Sequence, residues 1–316
     1  MVFNSNDRIC FFGDSITAAG DWIEMISDYF IDNRREQQLL PFNCGVPGDN
    51  ATNALKRIYC DCLQYFPQHV VVMFGMNDIC RDLYGDCFSD GENERSRNSA
   101  LEKYRSSLEQ LFSILAQFGT HIIACTPTLY DEIQDIPAEN LRHCNDGLLK
   151  CRDIVLTLAE ERDIDVVDFS GKWLEMRQSQ PEMVIVNSDR VHPNREGHRI
   201  MAETFLRSCG FAEENQPITF SEHKSNTERR RVEGVLRTLS FAQWMLFRNV
   251  KSGWEESHEE KKRIFSEIEA KGGEWEKSIH RAYEDNQSTI DILRGELLRK
   301  TVAMYAESSQ AILKAL

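Results

Sequence analysis

The 316-residue sequence lacks both a long apolar run and an excess of positive charge. Its longest uninterrupted apolar stretch covers residues 70–74, far short of the roughly 20 residues that a membrane-spanning helix needs. Acidic residues outnumber basic ones by 51 to 37, which gives a net charge of −14. Because nucleic acids and anionic membranes attract positive surfaces, this balance argues against both as partners.

The start of the sequence has no basic segment followed by an apolar stretch, so we expect no signal peptide. Ten cysteines are present, and all lie at or before Cys209. In a chain of this size without an export signal, they favour reduced thiols and a cytoplasmic location.

The composition changes near residue 212. Nearly all of the net negative charge lies in residues 1–211, whereas residues 212–316 are almost neutral and hold three of the five tryptophans. A polar stretch at residues 213–217 marks the junction. We therefore predict a domain over residues 1–211 and a C-terminal α-helical extension over residues 212–316. The extension either packs on the first domain or forms a homo-oligomer, and both arrangements stay open.

Short apolar runs alternate with helical patterns in the first part. Strand-like runs cover residues 8–12, 41–44, 69–74, 121–125 and 164–169, and helical patterns cover residues 22–31, 51–63, 99–118, 140–162 and 195–208. This alternation predicts an α/β fold with a parallel sheet covered by helices on both faces. In such sheets, ligands bind outside the carboxyl ends of the strands.

Four short motifs fall at predicted strand ends or on the last loop. They read GDSIT at residues 13–17, GVPGDN at 45–50, GMND at 75–78 and DRVHP at 189–193. Each alone is ordinary turn or helix-cap chemistry. Together they supply a serine hydroxyl, a histidine base, an aspartate to orient that base, and hydrogen-bond donors for an oxyanion, which are the parts of a serine nucleophile's site.

This motif set resembles that of the SGNH hydrolases, also called the GDSL esterase/lipase superfamily, in the family's order over residues 8–211. The resemblance implies a flavodoxin-like three-layer α/β/α sandwich and the hydrolysis of carboxylic esters without a metal or other cofactor. It implies Ser15 as the nucleophile, His192 as the general base and Asp189 as the residue that orients His192. It also implies an oxyanion hole made of the backbone N–H groups of Ser15 and Gly48 and the side-chain amide of Asn77.

Three further residues are candidates for the substrate pocket. Asp14 adjoins the serine, and we expect it to shape the turn as well. Thr126 and Tyr130 follow the predicted strand at 121–125, on the same edge of the sheet. The polar segment at residues 81–97 follows the third motif, and both a flexible rim over the site and an inert loop stay open.

Within this superfamily we predict a serine esterase for small-molecule esters of short acyl chains, especially acetyl esters, including acetylated carbohydrates. No long apolar stretch is present to line an acyl-chain tunnel, and the predicted loops are polar. A lysophospholipase or thioesterase for longer chains is the enzymatic alternative. A scaffold protein whose extension is the interacting part, with a secondary active site, is the alternative from another class.

Overall fold

A computed structural model describes residues 3–5, 7–34, 37, 39–65, 67–213 and 216–220. One five-stranded sheet has the strand order β2-β1-β3-β4-β5, and every neighbouring pair is parallel. The strands are β1 (Arg8–Gly13), β2 (Leu40–Gly45), β3 (His69–Met73), β4 (His121–Cys125) and β5 (Asp165–Val167). The predicted parallel sheet is confirmed, and its order is that of flavodoxin-like folds.

Helices cover both faces of this sheet. They are α1 (Ser15–Ala19), α2 (Asp21–Asn33), α3 (Ala51–Asp61), α4 (Gly91–Gln117), α5 (Cys144–Arg162), α6 (Phe169–Ser179) and α7 (Arg195–Ser208). On one face α2 packs against α7, and on the other α3, α4 and α5 pack in succession. The predicted three-layer α/β/α sandwich is therefore confirmed.

The two central strands hold the core. All five residues of β3 are buried, as are the last five of β1. Such strands are buried on both faces, which is why they read as continuous apolar runs. The ring of Phe11 meets the edge of Trp22 at a centroid distance of 5.1 Å, and Trp22 in turn packs against Phe205. These contacts join β1 to α2 and α7.

Helix α4 begins at Gly91 rather than at residue 99, where the apolar pattern starts. Its first turns are polar, and Asp90 caps them by accepting the N–H of Glu92 at 2.8 Å. Apolar periodicity cannot detect turns that bury no apolar face. Residues 81–97 form two short 3₁₀ helices followed by the start of α4, and their role as a rim over the site stays a prediction.

Helix α6 was absent from the sequence-based prediction. It lies between Phe169 and Ser179, and its two aromatic residues, Phe169 and Trp173, are fully buried four positions apart. Two large anchors in a polar, glycine-containing stretch are too few to produce a clear helical period.

The predicted helical extension falls mainly on residues 221–316, which lie outside the described residues, so the domain boundary stays a prediction. The described chain from residue 211 onward packs on the sandwich. Phe211 stacks on Phe3 at 5.1 Å, and Ile218 and Phe220 lie against the core. No helix in the described part of the chain is both long and apolar enough to cross a bilayer.

Candidate active site

The first three motifs meet at the carboxyl edge of the sheet. Gly13, at the end of β1, lies opposite Gly45 of β2 and Met73 of β3 in the strand register. The loops after these three strands therefore start side by side. This edge includes the point where the chain order reverses between β1 and β3, which is the usual ligand position in such folds.

Ser15 is the first residue of α1. Asp14 caps this short helix, because its Oδ1 accepts the N–H of Ile16 at 2.9 Å. Gly13 has no room for a side chain: an added Cβ would lie 2.2 Å from Thr17 Oγ1 and 2.7 Å from the carbonyl oxygen of Met73. The sharp turn from strand to helix that presents Ser15 thus depends on a glycine at position 13 and an acidic cap at position 14.

The structure brings Ser15, His192 and Asp189 into one hydrogen-bonded row. His192 Nε2 lies 2.8 Å from Ser15 Oγ, and His192 Nδ1 lies 2.6 Å from Asp189 Oδ2. Asp189 Oδ1 also accepts the backbone N–H groups of Val191 and His192, at 3.0 and 2.9 Å. With the proton on Nδ1, Nε2 can accept the hydroxyl proton of Ser15.

The same contacts favour the ionised form of Asp189. Partial burial of the carboxyl opposes ionisation, but hydrogen bonds from His192 and from the N–H of Val191 outweigh it and lower the pKa of Asp189 below its usual value. Asp189 is therefore an anion at neutral pH. An anion at Nδ1 favours the tautomer in which Nε2 is free to act as a base.

The expected oxyanion donors lie on neighbouring loops. Gly48 has φ +76°, in the left-handed region, and the space where a Cβ would project is empty. One N–H of the Asn77 amide donates to the carbonyl of Asp49 at 2.8 Å, while its Oδ1 accepts from Arg81 at 3.3 Å. These bonds fix the amide plane. The second N–H of Asn77 donates no hydrogen bond within the described residues.

Sequence reasoning missed the residue that joins these loops. Arg57 of α3 is buried, and its guanidinium reaches four partners at the sheet edge. They are the carboxylates of Asp49 (2.7 Å) and Asp61 (2.6 Å) and the carbonyl oxygens of Cys44 (2.8 Å) and Gly13 (3.0 Å). Arg57 shares the buried face of α3 with Ile58 and Asp61, and two opposite charges four residues apart beside apolar positions are the sequence signal for it.

Asp78 ties the third motif to α3. Its Oδ1 accepts the N–H of Ala51 at 2.9 Å, and its Oδ2 has no hydrogen-bond partner among the described residues. Burial raises the pKa of Asp78 to about 7. Burial likewise raises the pKa of Asp14 to about 6. Both carboxyls therefore lose their protons less readily than an exposed aspartate.

Arg190 anchors the loop that carries Asp189 and His192. It has φ +66°, a left-handed conformation that is unfavourable for a residue with a Cβ. Its buried guanidinium donates to four backbone carbonyl oxygens, those of Asp131 (3.1 Å), Gln134 (2.8 Å), Ile136 (3.1 Å) and Ala138 (3.0 Å). The clamp compensates for the backbone strain and fixes this loop against residues 131–138.

The three candidate pocket residues form contacts inside the protein, and their place in the substrate pocket stays a prediction. Asp14 is buried and caps α1. Thr126 is fully buried and donates to Asp168 at 2.9 Å. Tyr130 is 2% exposed, and its hydroxyl donates to the carbonyl of Glu139 at 2.9 Å. The hydroxyl groups of Thr126 and Tyr130 are thus hydrogen-bonded inside the protein.

Within the part of the chain that the structure describes, no group of three or more histidine, cysteine, aspartate or glutamate side chains could hold a metal ion.

Comparisons with known proteins agree with this geometry. A family model described as GDSL-like lipase/acylhydrolase matches residues 9–205. An acetylxylan esterase from Geobacillus stearothermophilus is 24% identical over 226 residues, which cover 67% of this chain and 97% of that protein.

Two solved structures share the fold. The crystal structure of an acetylxylan esterase from Geobacillus stearothermophilus has a TM-score of 0.54 at 24% identity, covering 67% of this chain and 98% of that one. A gut microbial diltiazem-metabolizing enzyme has a TM-score of 0.60 at 16% identity, covering 98% of this chain and 93% of that one. At these identities the likeness shows the fold alone.

Replacing Arg190 removes no member of the row of Asp189, His192 and Ser15, but it should displace the loop that carries two of them. We expect Arg190→Ala to lower kcat for p-nitrophenyl acetate by about 10–100-fold, because small misplacements of reacting groups carry penalties of that order. Arg190→Lys should recover little, since an ammonium cannot reach all four carbonyls. Arg142→Ala, at an exposed position, is the control. A kcat for Arg190→Ala within twofold of wild type would contradict this role.

Asp78→Asn should change the pH dependence of stability. The folded state holds the Asp78 proton more tightly than the unfolded chain, so the wild type loses stability as pH rises from about 4 to about 7. Asparagine has no proton to lose, and its oxygen can still accept the N–H of Ala51. One pKa unit corresponds to ~1.4 kcal/mol.

The measurement is Tm at pH 5 and pH 8. We expect the Tm of Asp78→Asn, relative to wild type, to be at least about 3 °C higher at pH 8 than at pH 5. The control is Asp86→Asn, at an exposed position. An equal difference at both pH values would show that Asp78 ionises normally.

Proposed function

Since the chain belongs to the GDSL-like lipase/acylhydrolase family and is a carboxylic ester hydrolase, we propose that it is a serine esterase that uses Ser15, His192 and Asp189. The observation that carries the proposal is the unbroken row of hydrogen bonds from Asp189 through His192 to Ser15, with distances of 2.6 and 2.8 Å. A serine hydroxyl is a weak nucleophile unless a base within this distance takes its proton.

In the first step, Ser15 Oγ attacks the ester carbonyl carbon while His192 Nε2 takes the hydroxyl proton. Asp189 stabilises the imidazolium that forms. The tetrahedral intermediate then collapses, and the bond from the carbonyl carbon to the alcohol oxygen breaks. The proton on Nε2 passes to the departing alcohol, which leaves an acyl group on Ser15.

Three donors stabilise the negative charge on the carbonyl oxygen during this step. They are the backbone N–H groups of Ser15 and Gly48 and the second N–H of the Asn77 amide. Neither backbone N–H donates a hydrogen bond within the described part of the chain. Because these donors are already in place before the reaction, no free energy is needed to reorient them when the charge appears.

In the second step, a water molecule enters the site after the alcohol has left. His192 Nε2 takes a proton from the water as its oxygen attacks the acyl carbon, and the same three donors hold the second oxyanion. The carbon–Oγ bond breaks, the proton returns to Ser15, and the carboxylic acid leaves. This step regenerates the hydrogen-bonded row.

A short acyl group, such as acetyl, fits the site better than a long chain. The residues beside the expected oxyanion donors are polar, and the candidate pocket residues Thr126 and Tyr130 are packed inside the protein. The acetylxylan esterase similarity points in the same direction. We therefore propose acetyl esters, including those of carbohydrates, as the substrates.

Chain-length profiling tests this assignment. We expect wild type to cleave p-nitrophenyl acetate with a higher kcat/KM than the octanoate or palmitate, and Ser15→Ala to be inactive on all three. A peak at long chains would favour a lysophospholipase or thioesterase. Full activity of Ser15→Ala would overturn the proposed nucleophile.

Removing the Asn77 amide tests the oxyanion hole. Asn77→Ala should lower kcat by about 10²–10³-fold, as the loss of one oxyanion donor does in other serine hydrolases, with a smaller effect on KM. The matched control is Asn93→Ala, since Asn93 lies on α4 and its amide donates, within the described residues, to the carbonyl of Cys87 alone. A decrease of less than threefold for Asn77→Ala would remove the amide from this role.

A further inference from the structure

A cavity of about 640 Å³ lies between the start of α3 and the amino-terminal half of α4. Its volume is in the range of small-molecule binding sites. Asn77 belongs to its lining, so the cavity adjoins one of the expected oxyanion donors. Most of the other lining side chains carry amide, hydroxyl or charged groups, among them Asn50, Asn53, Arg95, Ser99 and Lys103.

Hydrogen bonds within the protein fix the walls of this cavity. Arg97 is buried and donates to the carbonyl oxygens of Leu83 and Phe88, at 2.8 and 2.9 Å. It thereby fixes the segment after the third motif against α4. The hydroxyls of Thr52 and Ser107, 2.9 Å apart, join α3 to α4. A cavity with fixed walls binds without the cost of ordering them.

Several polar groups of the cavity are not used inside the protein. Arg95 and Lys103 form no ion pair within the described residues and lie exposed on one side of α4. On the opposite wall, Asp78 is 8% exposed and its Oδ2 has no partner among the described residues. An unpaired buried carboxyl oxygen is costly unless a ligand or water completes it.

We propose that this cavity binds the alcohol part of the ester and that this part is a polyhydroxylated ring, as in a sugar. The inference rests on the proposed function, in which the acyl group is small and the alcohol is the larger part of the substrate. Ring hydroxyls accept as well as donate, so they can pair with Arg95 and Lys103 as donors and with the amides of Asn50 and Asn53.

An aliphatic chain does not match this lining. It would cover the amides and charges without offering them hydrogen bonds, and each polar group so covered is penalised. The cavity therefore selects between two acetyl esters of equal size according to whether the alcohol carries hydroxyl groups.

The test compares two acetyl esters with the same primary ester and a six-membered ring. One is 6-O-acetylglucose, and the other is cyclohexylmethyl acetate, which has no hydroxyls. The enzymes are wild type, Arg95→Ala, Lys103→Ala and the control Lys150→Ala, which removes an exposed lysine of α5 outside the cavity. The readout is kcat/KM for the sugar ester divided by kcat/KM for the cyclohexyl ester.

We expect this ratio to exceed 10 for wild type and for Lys150→Ala. It should fall about 10-fold in Arg95→Ala and in Lys103→Ala, mainly through a higher KM for the sugar ester, because each variant loses a charged hydrogen-bond donor. A wild-type ratio near or below 1, or ratios in both cavity variants within twofold of wild type, would overturn the proposed subsite.

Failure of the subsite and failure of the proposed function give different results. If wild type cleaves the cyclohexyl ester through Ser15 but the ratios do not respond to Arg95 and Lys103, the serine esterase stands and the subsite falls. If Ser15→Ala retains wild-type activity on both esters, or wild type cleaves neither, the proposed function falls and the subsite falls with it.

Discussion

The buried guanidinium of Arg57 is the contact on which the carboxyl edge of the sheet depends. It bonds the last residue of β1, the end of β2, and Asp49 in the loop beside Gly48. Burying a cation is costly unless its partners are complete, and removing one partner of a buried ion pair typically costs about 3–5 kcal/mol. The loops that carry Ser15 and Gly48 are thus held by one side chain, so their spacing is set before any substrate arrives.

Two other buried arginines act in a similar way through backbone carbonyls. Arg190 holds the loop of Asp189 and His192 against residues 131–138, and Arg97 holds the segment after the third motif against α4. A planar guanidinium can meet several carbonyls at once, which an ammonium cannot. The segments between the strands and the long helices are fixed in this way, and a preorganised site requires fixed segments of this kind.

The sequence allowed most of the sheet to be predicted, because buried parallel strands carry continuous apolar runs, as residues 121–125 do for β4. Helical periodicity located α7 equally well, at residues 195–208. The sequence also allowed the members of the hydrogen-bonded row to be named, because they lie in short motifs that resemble those of a known family. The arginine anchors were missed, because most of their partners are backbone carbonyls, which carry no sequence signal. The polar start of α4 and the packing of Thr126 and Tyr130 were missed because apolar periodicity does not report how polar atoms are satisfied.

We propose that the hydrogen-bonded row makes Ser15 a reactive nucleophile. The most direct measurement is labelling of the intact protein with a fluorophosphonate, followed by proteolysis and mass spectrometry to find the modified residue, in wild type and in His192→Ala. We expect a single adduct on Ser15 in wild type and labelling at least about 100-fold slower in His192→Ala, in line with the contribution of a general base. An adduct on another residue, no adduct, or equal rates in the two proteins would contradict it.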